Sequence, residues 1–255
     1  MELRTAEVDG RTVGWRVAGA GPPLVLVHGL SGSWRWWRDV VGDLASAREV
    51  HALDVSVAPG SASPWLLRWA DAAGLDRFSL IGHSLGGAVA AQTAGTAPER
   101  VAELVLVAAV GMPYERGLFG YGLPLAEALL VTRPSFLRTL ALDAARTGPR
   151  LLPSALYATR ADVREQARSI RCPTLLVWGS RDRLVPASVA AAWQQLLPDA
   201  RLVTIAGAGH VPMVERPREF ASAVLGFLDE PRDLGGGAPV GGMGDARDDG
   251  DAPAR

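Results

Sequence analysis

The chain has 255 residues and a balanced charge, because 26 Lys and Arg stand against 27 Asp and Glu. Without a basic excess, no nucleic-acid or anionic-membrane surface is expected, and a small molecule is the expected partner. Hydrophobic residues make up 48% of the chain and charged residues 21%, so it can bury a substantial core and does not have the composition of a disordered protein.

The first predicted elements are two strands of alternating polarity, joined by Asp9-Gly10, a strong signal for a two-residue hairpin. The third strand is apolar throughout, as expected of a strand that is covered on both faces. Strands and helices then alternate, which predicts an α/β fold with a mostly parallel central sheet and helices on both faces. The strands are predicted at 3–8, 11–18, 24–27, 49–53, 78–82, 103–108, 174–178 and 201–205, and the helices at 34–46, 64–73, 85–96, 187–197 and 217–228.

Two segments depart from this alternation. Residues 111–169 contain short amphipathic helical stretches and no strand, so we predict a small helical cap over the carboxyl edge of the sheet, where open α/β sheets bind ligands. Residues 229–255 are rich in Gly, Pro and Asp and have almost no large apolar side chains, which predicts a disordered tail. The α/β core is therefore predicted to comprise 1–110 and 170–228.

A motif with chemical meaning joins the strand at 78–82 to the helix at 85–96, where the chain reads GHSLG with Ser84 at its centre. In this strand–turn–helix context, the G-x-S-x-G pattern presents a strained serine at the sheet edge, and the flanking glycines avoid clashes. The amide of Leu85, at the helix N-terminus, would face developing negative charge. The alternative is a glycine-rich turn with a capping serine.

A serine hydroxyl is a weak nucleophile at neutral pH, so a base must lie within hydrogen-bond reach, and histidine is well suited. Of the four histidines, His210 follows the strand 201–205 and reaches the same sheet edge as Ser84, which makes it the predicted base. The imidazole also needs an orienting carboxylate. Asp182, just past the strand 174–178, is predicted to fill that role, with an ordinary surface-loop aspartate as the alternative.

The loop after the strand 24–27 is predicted to supply a second oxyanion donor. Gly29 permits a turn that most side chains would obstruct, and the backbone amide of Leu30 would act beside that of Leu85. The ring of His28 is expected to brace this loop. Substrate-binding walls are predicted from residues around the triad and this loop, namely Gly29, His83, Val211, Met213 and Trp34.

The segments LVHGLSGS, LIGHSLGG, CPTLLVWGSRD and GAGHVPMVERPREF follow one another along the chain. On these motifs the chain resembles the α/β-hydrolase superfamily over residues 3–228. The order Ser84, Asp182, His210 is the order of that family's triad. The resemblance implies a serine nucleophile, whereas relatives that open epoxides or remove halide use aspartate there. The resemblance is specific for the fold and the triad but not for the substrate, because this fold carries many activities.

The segment before the nucleophile strand departs from the family's pattern. Family members usually place a D-x-x-G-x-G-x-S loop and a long helix there, whereas residues 55–75 are visibly shorter. The helix at 64–73 spans roughly 15 Å, close to the length of a five-residue strand, so it can still return the chain across the sheet. We expect the fold to survive with a more open or differently shaped active-site wall.

The sequence predicts a cofactor-independent serine hydrolase that cleaves a carboxylic ester or thioester of a small, largely apolar acid through an acyl-enzyme. A C–C bond hydrolase, an acyltransferase or a haloperoxidase-like enzyme would use the same triad. An alternative from another class is a receptor-like protein that binds a ligand with little turnover.

Cys172 is the one cysteine, so it cannot form an intrachain disulfide or build a thiolate metal site alone, which fits a reducing compartment. We expect it to be a small buried hydrophobe and not a nucleophile. No stretch approaches ~18 apolar residues, and the first ten residues lack the basic and apolar regions of a signal peptide. The expected protein is cytoplasmic, with no membrane span, metal or other cofactor.

Overall fold

The computed structural model describes residues 1–54, 59–113 and 134–230, which form an α/β fold around an eight-stranded sheet. The strands are β1 (Glu2–Val8), β2 (Arg11–Ala18), β3 (Pro23–Val27), β4 (Glu49–Leu53), β5 (Phe78–His83), β6 (Val101–Val107), β7 (Thr174–Gly179) and β8 (Arg201–Ile205). Their order across the sheet is β1-β2-β4-β3-β5-β6-β7-β8. β2 pairs antiparallel with β1 and β4, and the other neighbours pair in parallel, which confirms the predicted fold class.

Helices cover both faces of this sheet. The helices are α1 (Arg38–Leu44), α2 (Ala62–Ala72), α3 (Leu85–Thr96), α4 (Pro134–Thr147), α5 (Leu151–Arg160), α6 (Arg164–Ala167), α7 (Ala187–Leu196), α8 (Pro212–Glu215) and α9 (Pro217–Leu228). Side chains of α2, α3 and α7 form the core on one face, here called the α3 face. Side chains of α1, α8 and α9 form the core on the opposite face, here called the α1 face.

The apolar strands supply both cores at once. In β3, Val25 belongs to the core of the α3 face, while Leu24 and Leu26 belong to that of the α1 face, and all three are fully buried. Successive side chains of a strand point to opposite faces of the sheet, so a strand covered on both faces must be apolar at every position. This is why a continuous apolar run identified β3 from sequence.

Every strand and helix predicted for the α/β core is present, with ends within two residues of the prediction. The hairpin turn has positive φ at both Asp9 (50°) and Gly10 (71°), as a type I′ turn requires. Two details differ. The helix predicted at 34–46 starts as a 3-10 helix over Trp34–Trp37, and the short helix α8 follows His210 without having been predicted.

The described part of the predicted cap folds into α4, α5 and α6, and residues 114–133 of it lie outside the described residues. Of the predicted disordered tail, residues 231–255 also lie outside them. Its first two residues are described and form ion pairs, Asp229 with Arg48 and Glu230 with Arg201. Across the described residues, no helix is both long enough and apolar enough to span a membrane.

Candidate active site

Ser84 lies at the turn between β5 and α3 in a backbone conformation that serine rarely adopts, with φ of 53° and ψ of −115°. Strain of this kind persists where the surrounding structure enforces it and clusters at functional sites. A Cβ on Gly82 would lie 2.3 Å from the carbonyl oxygen of Gly86, and a Cβ on Gly86 would lie 2.5 Å from that of Val27. The flanking glycines therefore allow the close strand–helix approach for which the motif was singled out.

Ser84, His210 and Asp182 form one hydrogen-bonded chain. The Ser84 hydroxyl lies 3.1 Å from Nε2 of His210, and Nδ1 of His210 lies 2.9 Å from Oδ2 of Asp182. The three residues follow β5, β8 and β7, whose carboxyl ends meet at one edge of the sheet because the strands are parallel. All three are buried, which strengthens hydrogen bonds between them. The tertiary structure thus brings together the three residues predicted from spacing.

The carboxylate of Asp182 is held on both of its oxygens. While Oδ2 faces the imidazole, Oδ1 accepts hydrogen bonds from the backbone N–H groups of Leu184 and Val185, each at 2.9 Å. The side chain therefore has a fixed orientation, with one oxygen committed to its own loop and the other to His210. This arrangement sets the imidazole with Nδ1–H toward the carboxylate and leaves Nε2 as the acceptor for the serine proton.

Two backbone amides lie beside Ser84. Leu85 begins α3, and Leu30 follows Gly29, where a Cβ would lie only 3.2 Å from the Cβ of Ser84. Nδ1–H of His28 donates to the Gly29 carbonyl oxygen at 2.9 Å and so braces this loop, as expected. Neither the Leu30 nor the Leu85 amide donates to an acceptor within the described residues. An amide without a partner in the fold is what an oxyanion donor requires.

A cavity of about 300 Å³ adjoins these amides on the α3 face of the sheet. Gly29, Leu30 and Leu85 line it, and Trp65 and Leu66 of α2 give it an apolar wall. The described cap residues that line it are Thr147, Pro149, Arg150, Pro153 and Ser154. Its size is at the lower end of the range for ligand pockets, which suits a small and mostly apolar group.

Sequence reasoning did not single out Trp65 and Leu66 as wall residues. Both belong to the segment 55–75, which was expected to alter the active-site wall because it is short. That expectation was the signal that could have identified them. The periodicity of α2 predicts an inward face, but it does not distinguish a side chain that packs in the core from one that borders a cavity.

The other predicted wall residues lie elsewhere. His83 and Met213 expose none of their surface and Val211 exposes 6%, and none of these three lines the cavity. The guanidinium groups of Arg16 and Arg35 lie over the Trp34 ring, 5.4 and 5.2 Å from its centroid. Trp34, Val211 and Met213 pack on the α1 face, whereas the cavity opens on the α3 face. These residues therefore lie near the triad or the Gly29 loop along the chain but do not contact this cavity.

Burial disfavours the protonated form of two histidines outside the triad. Burial lowers the pKa of His83 well below its ordinary value, and the nearby His210 ring adds to this effect. Burial also lowers the pKa of His51, although the Glu49 carboxylate 3.6 Å away partly opposes it. His51 Nδ1 instead accepts a hydrogen bond from Nε1 of Trp15 at 3.1 Å.

These two histidines make the stability of the fold depend on pH. Below pH ~6.5 the unfolded chain protonates both, while the folded chain resists, so the free energy of unfolding falls as pH decreases. Each such histidine contributes up to about 1.4 kcal/mol per pH unit until its folded pKa is reached. We expect the midpoint of urea unfolding to decrease between pH 7.5 and 5.5.

The variant His51→Gln tests this origin, because glutamine does not titrate and can accept the Trp15 hydrogen bond. We expect a shallower pH dependence in His51→Gln than in the unaltered chain, measured by urea unfolding at pH 7.5, 6.5 and 5.5. Equal slopes for the two proteins would contradict the assignment to His51.

Cys172 is partly buried, and burial raises the pKa of its thiol to about 11. The thiol therefore stays protonated at neutral pH, and a protonated thiol is a poor nucleophile. Within the described ranges, no group of three or more His, Cys, Asp or Glu side chains could hold a metal ion.

Comparisons with known proteins agree with the fold. The model of the Alpha/beta hydrolase family matches residues 24–223. Pimeloyl-[acyl-carrier protein] methyl ester esterase of Edwardsiella ictaluri is 30% identical, with 84% of this chain and 96% of that protein covered. 2-Hydroxy-6-oxo-2,4-heptadienoate hydrolase of Pseudomonas putida is 32% identical, with 82% and 90% covered. A serine hydrolase involved in carbazole degradation, the CarC enzyme, has a crystal structure that matches with a TM-score of 0.72 and 25% identity over 89% of this chain and 98% of that one.

Proposed function

The chain belongs to the alpha/beta hydrolase family and is a hydrolase, and on that premise we propose that it cleaves a carboxylic ester or thioester with Ser84 as the nucleophile. The observation that carries the proposal is the chain of hydrogen bonds from Ser84 through His210 to Asp182, next to two available backbone amides. Nucleophile, base, orienting acid and oxyanion donors are the complete set that acyl transfer to serine requires.

Acylation begins when the Ser84 hydroxyl attacks the carbonyl carbon and Nε2 of His210 takes its proton. Asp182 keeps Nδ1–H directed toward itself and stabilises the imidazolium that forms. The amides of Leu30 and Leu85 donate to the oxyanion of the tetrahedral intermediate. The intermediate collapses, the bond from the carbonyl carbon to the leaving oxygen or sulfur breaks, and His210 gives its proton to the leaving group.

Deacylation repeats these steps with water. His210 takes a proton from a water molecule, whose oxygen attacks the acyl carbon, and the same two amides again stabilise the oxyanion. The bond to Ser84 then breaks, and His210 returns the proton to the serine oxygen. The products are a carboxylic acid and an alcohol or thiol, and each residue ends in its starting protonation state.

The cavity supports a small, largely apolar acyl group as the substrate. It adjoins the two oxyanion amides, and Trp65, Leu66 and Leu85 give it apolar walls. Burial of one methylene group is worth about 0.8 kcal/mol, which corresponds to roughly a fourfold change in kcat/KM. We therefore expect kcat/KM to rise with each added acyl carbon until the cavity is filled, and to fall when the chain is lengthened further.

A series of p-nitrophenyl esters of increasing acyl length tests this proposal, because the leaving group is constant and chain length alone varies. In Trp65→Ala, we expect the preferred chain to lengthen by two or more carbons, since the indole no longer closes the wall. Trp34→Ala is the matched control, because Trp34 is also half-buried but lies outside the cavity. A shift in Trp34→Ala and none in Trp65→Ala would contradict the placement of the acyl group.

C–C bond hydrolysis is the second candidate, because the chain is 32% identical to a 2-hydroxy-6-oxo-2,4-heptadienoate hydrolase over 82% of its length. The same nucleophile, base and oxyanion donors would act, with a carbon leaving group. Parallel assays separate the two candidates. Hydrolysis of p-nitrophenyl esters without turnover of a 6-oxo-dienoate supports the esterase, and faster turnover of the dienoate supports the second candidate.

A further inference from the structure

Glu215 is a buried carboxylate just after the proposed catalytic histidine, and its environment is unusual. It lies in α8, and only 8% of it is exposed. Its Oε2 accepts a hydrogen bond from the backbone N–H of Gly209, and its Oε1 accepts one from that of Val211 at 3.1 Å. The two amides that it binds are those on either side of His210.

A third side-chain contact holds His210 itself. Nε2 of His83 lies 2.9 Å from the carbonyl oxygen of His210, and the two rings are 4.9 Å apart. Since a neutral imidazole carries one N–H, Nε2–H is the donor here. His83 was predicted to face the substrate, but it is fully buried and hydrogen-bonds to the backbone carbonyl of His210.

His210 needs such support because regular secondary structure does not provide it. β8 ends at Ile205 and α8 begins at Pro212, so His210 lies in the loop between them. A loop residue must nevertheless place Nε2 near Ser84 and Nδ1 near Asp182 at the same time. An error of 1 Å in such a constellation can cost on the order of 100-fold in rate.

We propose that Glu215 is a positioning residue for the reaction, which together with His83 fixes the backbone of residues 209–211 so that the His210 imidazole meets Ser84 and Asp182. This inference rests on the proposed function. Glu215 acts through the backbone and not on the substrate, since it is buried and both of its carboxylate oxygens accept hydrogen bonds from backbone N–H groups.

The chemistry of a carboxylate explains why glutamate occupies this position. A carboxylate is an acceptor on both oxygens, so it can bind two N–H groups at once, whereas glutamine offers one oxygen and one NH₂. In Glu215→Gln, one of the two amides would therefore face a donor. Gly209 contributes as well, because a Cβ there would lie 3.2 and 3.3 Å from the two carboxylate oxygens and crowd them.

The test is steady-state hydrolysis of p-nitrophenyl butyrate by Glu215→Gln. We expect kcat to fall by roughly 10- to 100-fold while KM stays within about threefold, because the base is misplaced but the cavity is intact. Arg48→Met is the matched control for loss of a buried charge. Arg48 is also buried and binds two backbone groups, the carbonyls of Ala47 and Leu228, but it precedes β4 at the opposite edge of the sheet. A loss of Tm in Arg48→Met without a loss of kcat would separate positioning from general destabilisation.

His83 supplies a second test that does not depend on Glu215→Gln folding. Glutamine at position 83 can donate to the His210 carbonyl, whereas phenylalanine cannot. We expect His83→Phe to lower kcat about tenfold and His83→Gln to recover most of that loss. In the double variant Glu215→Gln/His83→Phe, the fold-loss of kcat should be smaller than the product of the two single fold-losses. The reason is that both side chains act on one backbone segment.

The outcomes distinguish this inference from the proposed function. Unchanged kcat in a folded Glu215→Gln, or equal loss of kcat in Arg48→Met at equal loss of Tm, would overturn the positioning role. If Ser84→Ala retained full hydrolysis in the same assay, the proposed function itself would fail. Loss of activity in Ser84→Ala combined with full activity in Glu215→Gln would overturn the inference alone.

Discussion

Ser84→Ala is expected to lower kcat for p-nitrophenyl esters by about 10⁴- to 10⁶-fold, because it removes the atom that forms the acyl-enzyme. The fold should persist. Alanine meets the same positive φ as serine at this turn, and the glycines that allow the close approach of β5 and α3 are untouched. Steady-state kinetics measure the loss of turnover, and thermal unfolding measures the intactness of the fold.

Ser79→Ala is the control for this prediction, because Ser79 is a buried serine of β5, the strand that leads to Ser84, and it hydrogen-bonds to Glu103. It should keep its activity. A fluorophosphonate probe should label the unaltered chain and not Ser84→Ala, since only an activated serine reacts. Undiminished ester hydrolysis by a folded Ser84→Ala would refute Ser84 as the nucleophile. Absence of labelling together with tight binding of a small molecule would favour a receptor-like protein.

Asp182→Asn has the second largest expected effect, and the structure explains why so small a change is severe. Oδ1 of Asp182 accepts from the amides of Leu184 and Val185, so the asparagine oxygen should keep that position and turn its NH₂ toward His210. Nδ1 must then accept a hydrogen bond, which moves the ring proton to Nε2. With Nε2 protonated, His210 has no lone pair for the Ser84 proton. We expect kcat to fall by about 10³- to 10⁴-fold.

The measurement is kcat for p-nitrophenyl butyrate at pH 7.5, with Tm recorded for the same preparations. Asp199→Asn provides a matched control, because it makes the same chemical change at an exposed aspartate. Full activity in a folded Asp182→Asn would mean that another group orients His210. The alternative of an ordinary surface-loop aspartate predicts that result, although the buried carboxylate and its bonds argue against it.

The sheet and its helices could be predicted from sequence because the signals are local. Apolar runs such as 24–27 indicate strands covered on both faces, Asp9-Gly10 indicates a hairpin, and the spacing of apolar residues indicates helices. The turn at Ser84 could likewise be predicted from local sequence, because its neighbouring glycines and its strand–turn–helix context lie within a few residues. The parallel arrangement then implies that Asp182 and His210 reach the same sheet edge as Ser84.

The location of the cavity could not be predicted in this way. Its walls come from the Gly29 loop, from Trp65 and Leu66 of α2 and from the cap, and these segments meet only in the folded chain. Sequence reasoning instead selected Val211 and Met213 because they neighbour His210 along the chain. In the structure these side chains pack on the opposite face of the sheet from the cavity.

By itself, the sequence determined the fold class, the order of the elements and the three residues of the triad. The reason is that turn residues and apolar periodicity can be recognised within short stretches of sequence. The tertiary structure decided which residues border the cavity and which side chains hold the loop that carries His210. Glu215 and His83 illustrate the second kind of information. Their roles depend on which backbone groups at 209–211 lack partners in regular secondary structure, and such a need arises only when separate segments are packed together.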